Sequence, residues 1–409
     1  MKLSFRQPSI SKFNLQITGS KSISNRYLIL KAQFPNLDLS GLSESDDTHV
    51  LHKAISTLDQ KCDEIDIHHA GTAMRFLTAY LSSLPNLEVV LKGSKRMHER
   101  PIGILVEAMR ELGGHLEYLG SEGFPPLKIY GKSLQKNKIS IPANVSSQYI
   151  TALMLIAPSF KNGLTIFLES KITSKPYLLM TAQALRSVGV EVDMHEEYIR
   201  VYPKTKIEPK TIAVESDWSS ASYFYSCLAL MDHGEFELST FQKDSLQGDS
   251  KVAEFYKLFG IETQFKAGSI FISKKAGVRL PEKIELDLND TPDLAQTIAV
   301  TCLGLDIACD LTGLHTLKVK ETDRLVALKT EIEKFGAEVE ITSESLKLSP
   351  KANLKESVSV KTYQDHRMAM AFAPLAIKVD LEILDPEVVS KSFPDFWEKI
   401  KVLGIQQNH

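Results

Sequence analysis

One pattern of apolar and polar positions recurs along this chain. A stretch with apolar residues at helical spacing ends in an apolar residue and a glycine, and two short segments that alternate between apolar and polar residues follow it. Clear copies of the helical part are Leu105–Gly114, Leu179–Gly189, Val252–Gly260 and Ala327–Gly336. The change of period from 3.6 to 2 residues predicts a helix followed by two short strands in each copy.

The glycine at the end of each helical stretch is typical of a helix cap. A helix often ends in a residue with left-handed backbone, which glycine adopts without steric penalty. We therefore predict structural roles for Gly113, Gly189, Gly260 and Gly336. Since the same two strands follow each cap, we interpret the pattern as duplication of a β-α-β-α-β-β repeat.

Two further copies are weaker. One lies near residues 54–67, and the last, 396–405, repeats only the first half of the pattern. The sequence thus predicts an α/β protein with two pseudo-symmetric lobes of three repeats each, residues 1–18 with 216–409 forming one lobe and residues 19–215 the other. Because ligands favour clefts between domains, we expect the active site in the cleft between the lobes.

Composition narrows the class of protein. The 409 residues are 43% hydrophobic and 24% charged, and the net charge of -3 disfavours nucleic acid as the main partner. The four cysteines are scattered, the first residues lack the apolar core of a signal peptide, and no apolar run reaches the length of a membrane span. We expect a cytoplasmic monomer that binds neither nucleic acid nor membrane.

Cations concentrate in short motifs at predicted helix edges. They are Lys21, Arg26, Arg75, Arg100, Lys320, Arg324, Arg367 and Lys391. Any one of these motifs is as compatible with a capped helix or a surface ion pair as with a ligand site. Together, in a chain of negative net charge, they indicate a site for two polyanionic small molecules, since arginine binds carboxylate and phosphate through two hydrogen bonds.

The order of the motifs resembles the enolpyruvylshikimate phosphate (EPSP) synthase family. The matching strings are GSKSISNR (19–26), AGTAMR (70–75), ERPI (99–102), SSQ (146–148), SKPY (174–177), SDWSSASY (216–223), LQGD (246–249), PD (292–293), VKETDR (319–324), DHRMAM (365–370) and KSFPD (391–395). The resemblance implies the enolpyruvyl transferase fold, an inside-out α/β barrel. Three positions depart from the family pattern, namely His69, Phe76 and Thr316, where Asn, Pro and Asn are usual.

The resemblance also implies a role for each site residue. Shikimate 3-phosphate would be held by Lys21, Ser22, Arg26, Ser146, Ser147, Gln148, Ser174, Tyr177, Asp293, Thr316 and Lys320. Phosphoenolpyruvate would be held by Lys21, Gly71, Arg100, Gln148, Arg324, Arg367 and Lys391. The catalytic set would be Asp293 as the base for the attacking hydroxyl, Glu321 assisted by Lys21 as acid and base at the methylene carbon, and His366 near the reacting carbons. Arg75 is interpreted as mainly structural.

The implied reaction moves the enolpyruvyl group of phosphoenolpyruvate to the 5-hydroxyl of shikimate 3-phosphate, a step of chorismate and aromatic amino-acid biosynthesis. Proton transfer and charge stabilisation suffice for it, so we expect no cofactor and no metal. The resemblance also predicts that glyphosate competes with phosphoenolpyruvate. Two alternatives stay open: a UDP-aminosugar enolpyruvyl transferase, which typically has a cysteine in the loop corresponding to Lys92–Pro101, and an RNA-end-processing relative of the fold.

Overall fold

The structure is a computed structural model of the chain that describes residues 1–58, 62–144, 146–170, 172, 174–350 and 353–408. Its α-helices are α1 (Lys21–Gln33), α2 (Asp46–Ser56), α3 (Gly71–Ser82), α4 (Gly103–Glu111), α5 (Ser147–Ile156), α6 (Lys175–Ser187), α7 (Trp218–Leu230), α8 (Val252–Phe255), α9 (Ala295–Leu305), α10 (Arg324–Lys334), α11 (His366–Phe372) and α12 (Phe396–Val402). No helix in these ranges combines the length and the apolarity that crossing a membrane requires.

The strands are short. They are β1 (Lys2–Phe5), β2 (Lys12–Leu15), β3 (Leu37–Ser40), β4 (Glu64–Asp66), β5 (Glu88–Lys92), β6 (His115–Tyr118), β7 (Leu127–Tyr130), β8 (Lys138–Ile141), β9 (Leu164–Leu168), β10 (Val192–Met194), β11 (Tyr198–Val201), β12 (Lys210–Ala213), β13 (Glu235–Ser239), β14 (Ile261–Lys266), β15 (Ser269–Lys274), β16 (Lys283–Asp287), β17 (Ala308–Thr312), β18 (Glu338–Ile341), β19 (Leu346–Ser349), β20 (Val358–Val360), β21 (Leu381–Ile383) and β22 (Ile405–Asn408).

Two compact lobes divide the chain. Lobe one comprises Met1–Thr18 and Glu215–His409, and lobe two comprises Gly19–Val214. The expected boundary was one residue later, since Glu215 belongs to lobe one. Its carboxylate accepts hydrogen bonds from Trp218, Gln242, Ser245 and Gln247, all of lobe one.

The repeat is visible in the sheets. In β4-β5-β7-β6, the first pair is parallel and the other two pairs are antiparallel. The same order and directions recur in β8-β9-β11-β10, β16-β17-β19-β18 and β2-β13-β15-β14. The predicted β-α-β-α-β-β repeat is therefore confirmed, and the glycine caps have the expected positive φ of 103°, 79°, 79° and 99°.

Three details of the repeat prediction were wrong. The last repeat is not half a copy, because β22 and β1 pair antiparallel and complete its sheet in the order β20-β21-β1-β22. The extended segment near Ile67 belongs to the next repeat, because β4 pairs with β5; the first repeat has the two-stranded sheet β12-β3 within the described ranges. The third helical stretch is α-helical only over α8 and continues as a 3-10 helix, Tyr256–Phe259.

Burial separates two kinds of helix. The helices α3, α5, α7, α9 and α11 are buried on nearly all sides, whereas α4 and α10 bury a single face. A helix that is apolar all round must lie inside its domain, so in each lobe the sheets and the amphipathic helices surround it. The motif residues of DHRMAM and GTAMR occupy the first turns of such central helices.

Candidate active site

Arg26 of lobe two is held by several hydrogen bonds. It lies on α1 and is buried, and its Nε donates to Thr181 Oγ1 at 2.8 Å. Its two terminal nitrogens donate to the carbonyl oxygens of Ser22 at 2.6 Å and Tyr177 at 3.1 Å. All these acceptors are neutral, and burial lowers the pKa of Arg26 to about 10, which still leaves it protonated at neutral pH.

Aromatic rings flank the same guanidinium. Its central carbon lies 5.8 Å from the ring centroid of Phe76 and 5.8 Å from that of Tyr177. Cation–π contacts of this kind favour a fixed, charged arginine. Phe76, one of the departures from the family pattern, therefore lies inside α3, next to a predicted substrate-binding residue.

The Arg100 guanidinium packs against Gly71 at the start of α3. A Cβ placed on Gly71 would lie 2.5 Å from Arg100 Nη1, so only glycine leaves room for the guanidinium at the start of α3. The buried Arg100 Nε has no hydrogen-bond partner among the described residues. Arg75 donates to the carbonyl oxygens of Gly71 and Pro101, at 3.2 and 2.9 Å, and thus ties α3 to the loop that carries Arg100.

The start of α5 contributes polar groups beside α3. Ser146 caps the helix by accepting the backbone N–H of Gln148, and Ser147 is its first, buried residue. The Gln148 amide donates to Thr72 Oγ1 at 3.4 Å, which brings it next to Gly71 in space. The predicted grouping of Gln148 with Gly71 agrees with this contact.

Two other predicted residues of lobe two lie at helix starts. Lys21 is the first residue of α1, and its Nζ lies 3.6 Å from Asp47 Oδ2 on α2. Ser174 precedes α6 with a left-handed backbone, φ 55°, and its side chain does not cap the helix.

Lobe one holds a network of buried carboxylates and cations centred on Arg324. The Arg324 guanidinium donates to Asp365 at 2.6 and 3.3 Å, to Asp293 at 2.8 Å and to Glu321 at 2.9 Å. Burial disfavours its charge, but these three carboxylates outweigh burial and raise the pKa of Arg324. Arg324 is thus bonded to carboxylates of its own lobe, although the resemblance assigned it to phosphoenolpyruvate.

Asp293 lies where several of these cations converge. Arg367 Nη2 donates to Asp293 Oδ2 at 3.0 Å, and Lys320 Nζ lies 3.7 Å from Asp293 Oδ1. Burial alone would raise the pKa of Asp293, but the charges of Arg367, Lys320 and Arg324 hold it well below its usual range. The carboxylate is therefore ionised.

The other predicted residues of lobe one lie at the edges of this network. Lys391 Nζ donates to Glu321 Oε1 at 2.6 Å. His366 opens α11 and is buried, with Nδ1 3.7 Å from Asp365 Oδ1. Thr316 lies in the 3-10 helix His315–Val319, and no hydrogen bond from the described residues reaches its buried hydroxyl.

Comparison with known proteins identifies the family. The EPSP synthase (3-phosphoshikimate 1-carboxyvinyltransferase) family model matches residues 34–400. The 3-phosphoshikimate 1-carboxyvinyltransferase of Bacteroides fragilis is 44% identical over 409 residues, which cover 99% of this chain and 98% of that protein. The enzyme of the same name from Vibrio atlanticus is 36% identical over 418 residues, 96% of each chain.

The chain belongs to the EPSP synthase family.

Solved structures show the same fold. An EPSP synthase from Acinetobacter baumannii superposes with a TM-score of 0.76 at 20% identity, covering 100% of both chains. The enolpyruvyl transferase NikO from Streptomyces tendae gives a TM-score of 0.75 at 11% identity, covering 99% of this chain and 98% of its own. At these identities the likeness concerns the fold alone, and it confirms the enolpyruvyl transferase fold.

Some residues of the EPSP synthase site were not singled out from the sequence. Asp365 caps α11 and accepts a hydrogen bond from Arg324. The sequence signal for this cap was the Asp that precedes His-Arg at a helix start. Asp249 lies in the matched string LQGD; it accepts from Ser219, whose hydroxyl also accepts from Arg367 at 3.4 Å. Burial first, and then the charge of Asp293, raise the pKa of Asp249 to about 7.

Proposed function

We propose that this chain transfers the carboxyvinyl group of phosphoenolpyruvate to the 5-hydroxyl of shikimate 3-phosphate and releases phosphate, a step in the synthesis of aromatic amino acids. Membership of the EPSP synthase family over the whole chain supports the activity. The alternative acceptor, a UDP-aminosugar, is disfavoured because the loop Lys92–Pro101 contains no cysteine.

One observation of the structure supports the chemistry most directly. Asp293 is a buried, ionised carboxylate contacted by Arg324, Arg367 and Lys320. In this arrangement a base and the cations that would stabilise an anionic intermediate share one site. Preorganised charge of this kind is a large source of catalytic rate enhancement.

The same contacts imply that substrate binding activates the base. While three cations lie against Asp293, its low pKa makes it a weak acceptor of a proton. Phosphate and carboxylate groups of the substrates compete for Arg367 and Lys320, and Asp293 then holds a proton more tightly. The base thus gains strength when the substrates are in place.

The proposed reaction proceeds in two balanced stages. In the first, the protonated form of Glu321 delivers its proton to the methylene carbon of phosphoenolpyruvate, the 5-hydroxyl oxygen bonds to the adjacent carbon, and the hydroxyl proton passes to Asp293. In the second, the carbon–oxygen bond to phosphate breaks, phosphate leaves with the proton that Asp293 took up, and a methyl proton returns to Glu321 as the double bond re-forms. Lys391 and Arg324 hold the Glu321 carboxylate from two sides.

The binding roles follow the resemblance. Arg26, with Ser22, Ser146, Ser147, Ser174 and Tyr177, is assigned to shikimate 3-phosphate, and Thr316 offers its hydroxyl to the same ligand. Arg100 beside Gly71 is assigned to phosphoenolpyruvate, together with Lys21, Arg367 and Lys391. Arg100 Nε, for which the described part of the chain provides no acceptor, fits such a role, because a buried donor favours an acceptor.

Phosphate release tests the proposal. The purified chain should release phosphate when phosphoenolpyruvate and shikimate 3-phosphate are supplied together, and neither substrate alone should suffice. A parallel reaction with a UDP-aminosugar as acceptor tests the alternative. Release with the UDP-aminosugar and none with shikimate 3-phosphate would overturn the proposal.

A further inference from the structure

Helix α10 carries a carboxylate on its buried side. The buried residues of this helix follow helical spacing and are Arg324, Leu325, Ala327, Leu328, Glu331 and Ile332. Glu331 is fully buried, and a buried carboxylate requires hydrogen-bond donors. The reaction proposed above does not use it.

The donors to Glu331 come mainly from one distant segment. Tyr363 Oη donates to Glu331 Oε1 at 2.6 Å, and the backbone N–H of Lys361 donates to Oε2 at 3.1 Å. Lys334, one turn further along α10, donates to Oε2 at 2.5 Å. Glu331 therefore ties α10 to the segment Lys361–Gln364.

This segment has an unfavourable backbone. Tyr363 and Gln364 are consecutive residues with φ of 55° and 57°. Residues other than glycine rarely adopt this left-handed backbone conformation, and it persists only where surrounding contacts hold it. The hydrogen bonds from Tyr363 and Lys361 to Glu331 supply such support at the N-terminal side of Tyr363 and Gln364, hereafter the strained pair.

The strained pair leads directly into the active-site network. The next residue, Asp365, accepts from Arg324 on α10 and from the backbone N–H of Arg367 at 2.9 Å. Arg367 in turn donates to Asp293. Helix α10 thus holds the loop at two points, at Arg324 and, two turns later, at Glu331.

We propose that Glu331 is a positioning residue of the active site. By holding Tyr363 and Gln364 in their left-handed conformation, it sets the direction in which Asp365 and Arg367 enter the network. Its effect on substrates rests on the proposed function, whereas its effect on the backbone does not.

Kinetics of conservative variants test the proposal. Tyr363→Phe removes one hydroxyl, and Glu331→Gln removes the charge with little change of shape. Glu333→Gln is the matched control, because Glu333 lies on the same helix and pairs with Lys329 at the surface. We expect the KM for phosphoenolpyruvate to rise about tenfold in the first two variants, the loss typical of one displaced charge-assisted hydrogen bond, and to stay constant in the control.

Two readouts separate positioning from a general loss of stability. A smaller folded fraction would lower the apparent kcat and leave both KM values unchanged, whereas misplaced Arg367 should affect phosphoenolpyruvate more than shikimate 3-phosphate. In addition, Gln364→Gly should restore the KM in the Tyr363→Phe background, because glycine adopts the left-handed conformation without strain. Unchanged KM values in both single variants, or no rescue by glycine, would overturn the proposal.

A measurement without substrate tests the positioning role of Glu331 separately from the proposed function. Hydrogen exchange of the amides in residues 361–368 should accelerate in Tyr363→Phe and Glu331→Gln and not in Glu333→Gln. If the wild-type chain lacks the proposed activity but shows this pattern, the function is wrong and the role of Glu331 stands. Equal exchange in all three variants would refute that role.

Discussion

Arg26 of lobe two and Arg324 of lobe one are both buried arginines at predicted substrate sites, yet their partners differ in charge. Arg26 donates to hydroxyl and carbonyl oxygens, whereas Arg324 donates to three carboxylates. Burial lowers the pKa of Arg26, and the carboxylates raise that of Arg324.

The difference indicates two ways to handle an anionic substrate. Neutral acceptors orient Arg26 without cancelling its charge, so its positive field remains available to a phosphate. The cations of lobe one are largely balanced by their own carboxylates, and a ligand must compete for them. The Arg26 site is thus suited to binding an anion, and the Arg324 network to chemistry in which charge and protons move.

The largest expected effect is on turnover at Asp293. Asp293→Asn keeps the shape, replaces one acceptor oxygen by a donor and cannot accept the hydroxyl proton, so kcat should fall by roughly 10² to 10⁴, the usual contribution of a general base. The affinity for shikimate 3-phosphate, measured by calorimetry, should change little. Asp290→Asn, at a half-exposed position three residues earlier, serves as the control. Near-normal turnover of Asp293→Asn would assign the base to another residue.

The second prediction compares the two arginines directly. Arg324→Met leaves buried carboxylates without their partner, and we expect the free energy of unfolding to fall by about 3–5 kcal/mol. Arg26→Met leaves only neutral acceptors, for which about 1–3 kcal/mol is typical. Urea denaturation of both variants measures the difference. Equal losses would show that the charge of the partners is irrelevant.

The third prediction concerns the glycine that makes room for Arg100. In Gly71→Ala the new methyl group would overlap the Arg100 guanidinium, the flexible end of a side chain that can move away. The affinity for phosphoenolpyruvate should therefore fall about tenfold, the loss of roughly one charged hydrogen bond. Glyphosate should become a weaker competitor in parallel, whereas the affinity for shikimate 3-phosphate, which is assigned to Arg26 and not to Arg100, should stay constant. A parallel loss of both substrates would mean that α3 itself has shifted.

The last prediction concerns a dependence of stability on pH in lobe one. The pKa of Asp249 is raised to about 7, so between about pH 4 and pH 7 the folded state retains a proton that the unfolded state releases. Its contribution to stability is therefore present at low pH and is lost as pH rises through that range. Asp249→Asn should remove this slope, and the difference between wild type and variant in urea denaturation measures it. A constant difference across the range would contradict the raised pKa.

The fold was predictable where it depends on the local periodicity of apolar positions along the chain. Helix caps and paired strands follow from spacings within about ten residues, and they recur in the structure. The pairing of β1 with β22 was not predictable in this way, because no local pattern links residues about 400 positions apart. The sequence around Glu215 likewise gives no signal of which lobe its buried carboxylate joins.

The sequence indicated individual candidate residues of the site but not the hydrogen bonds and ion pairs between them. The motifs located Arg324, Arg367 and Lys391 as cations of the site. The resemblance assigned Arg324 to a substrate, and no local pattern indicated its carboxylate partners Asp293 and Asp365, which lie 31 and 41 positions away along the chain. Residues that act through others, such as Glu331, resemble ordinary members of an amphipathic helix in the sequence.

The interruption of lobe one by lobe two affects how the chain folds during synthesis. Strand β2 pairs with β13, so the sheet β2-β13-β15-β14 requires residues on both sides of the 196-residue segment Gly19–Val214. Lobe two is continuous and can fold as soon as it leaves the ribosome, whereas the first 18 residues must wait for partners made much later. Closing so long a loop slows formation of lobe one. The network around Asp293 therefore forms last, after lobe two is complete.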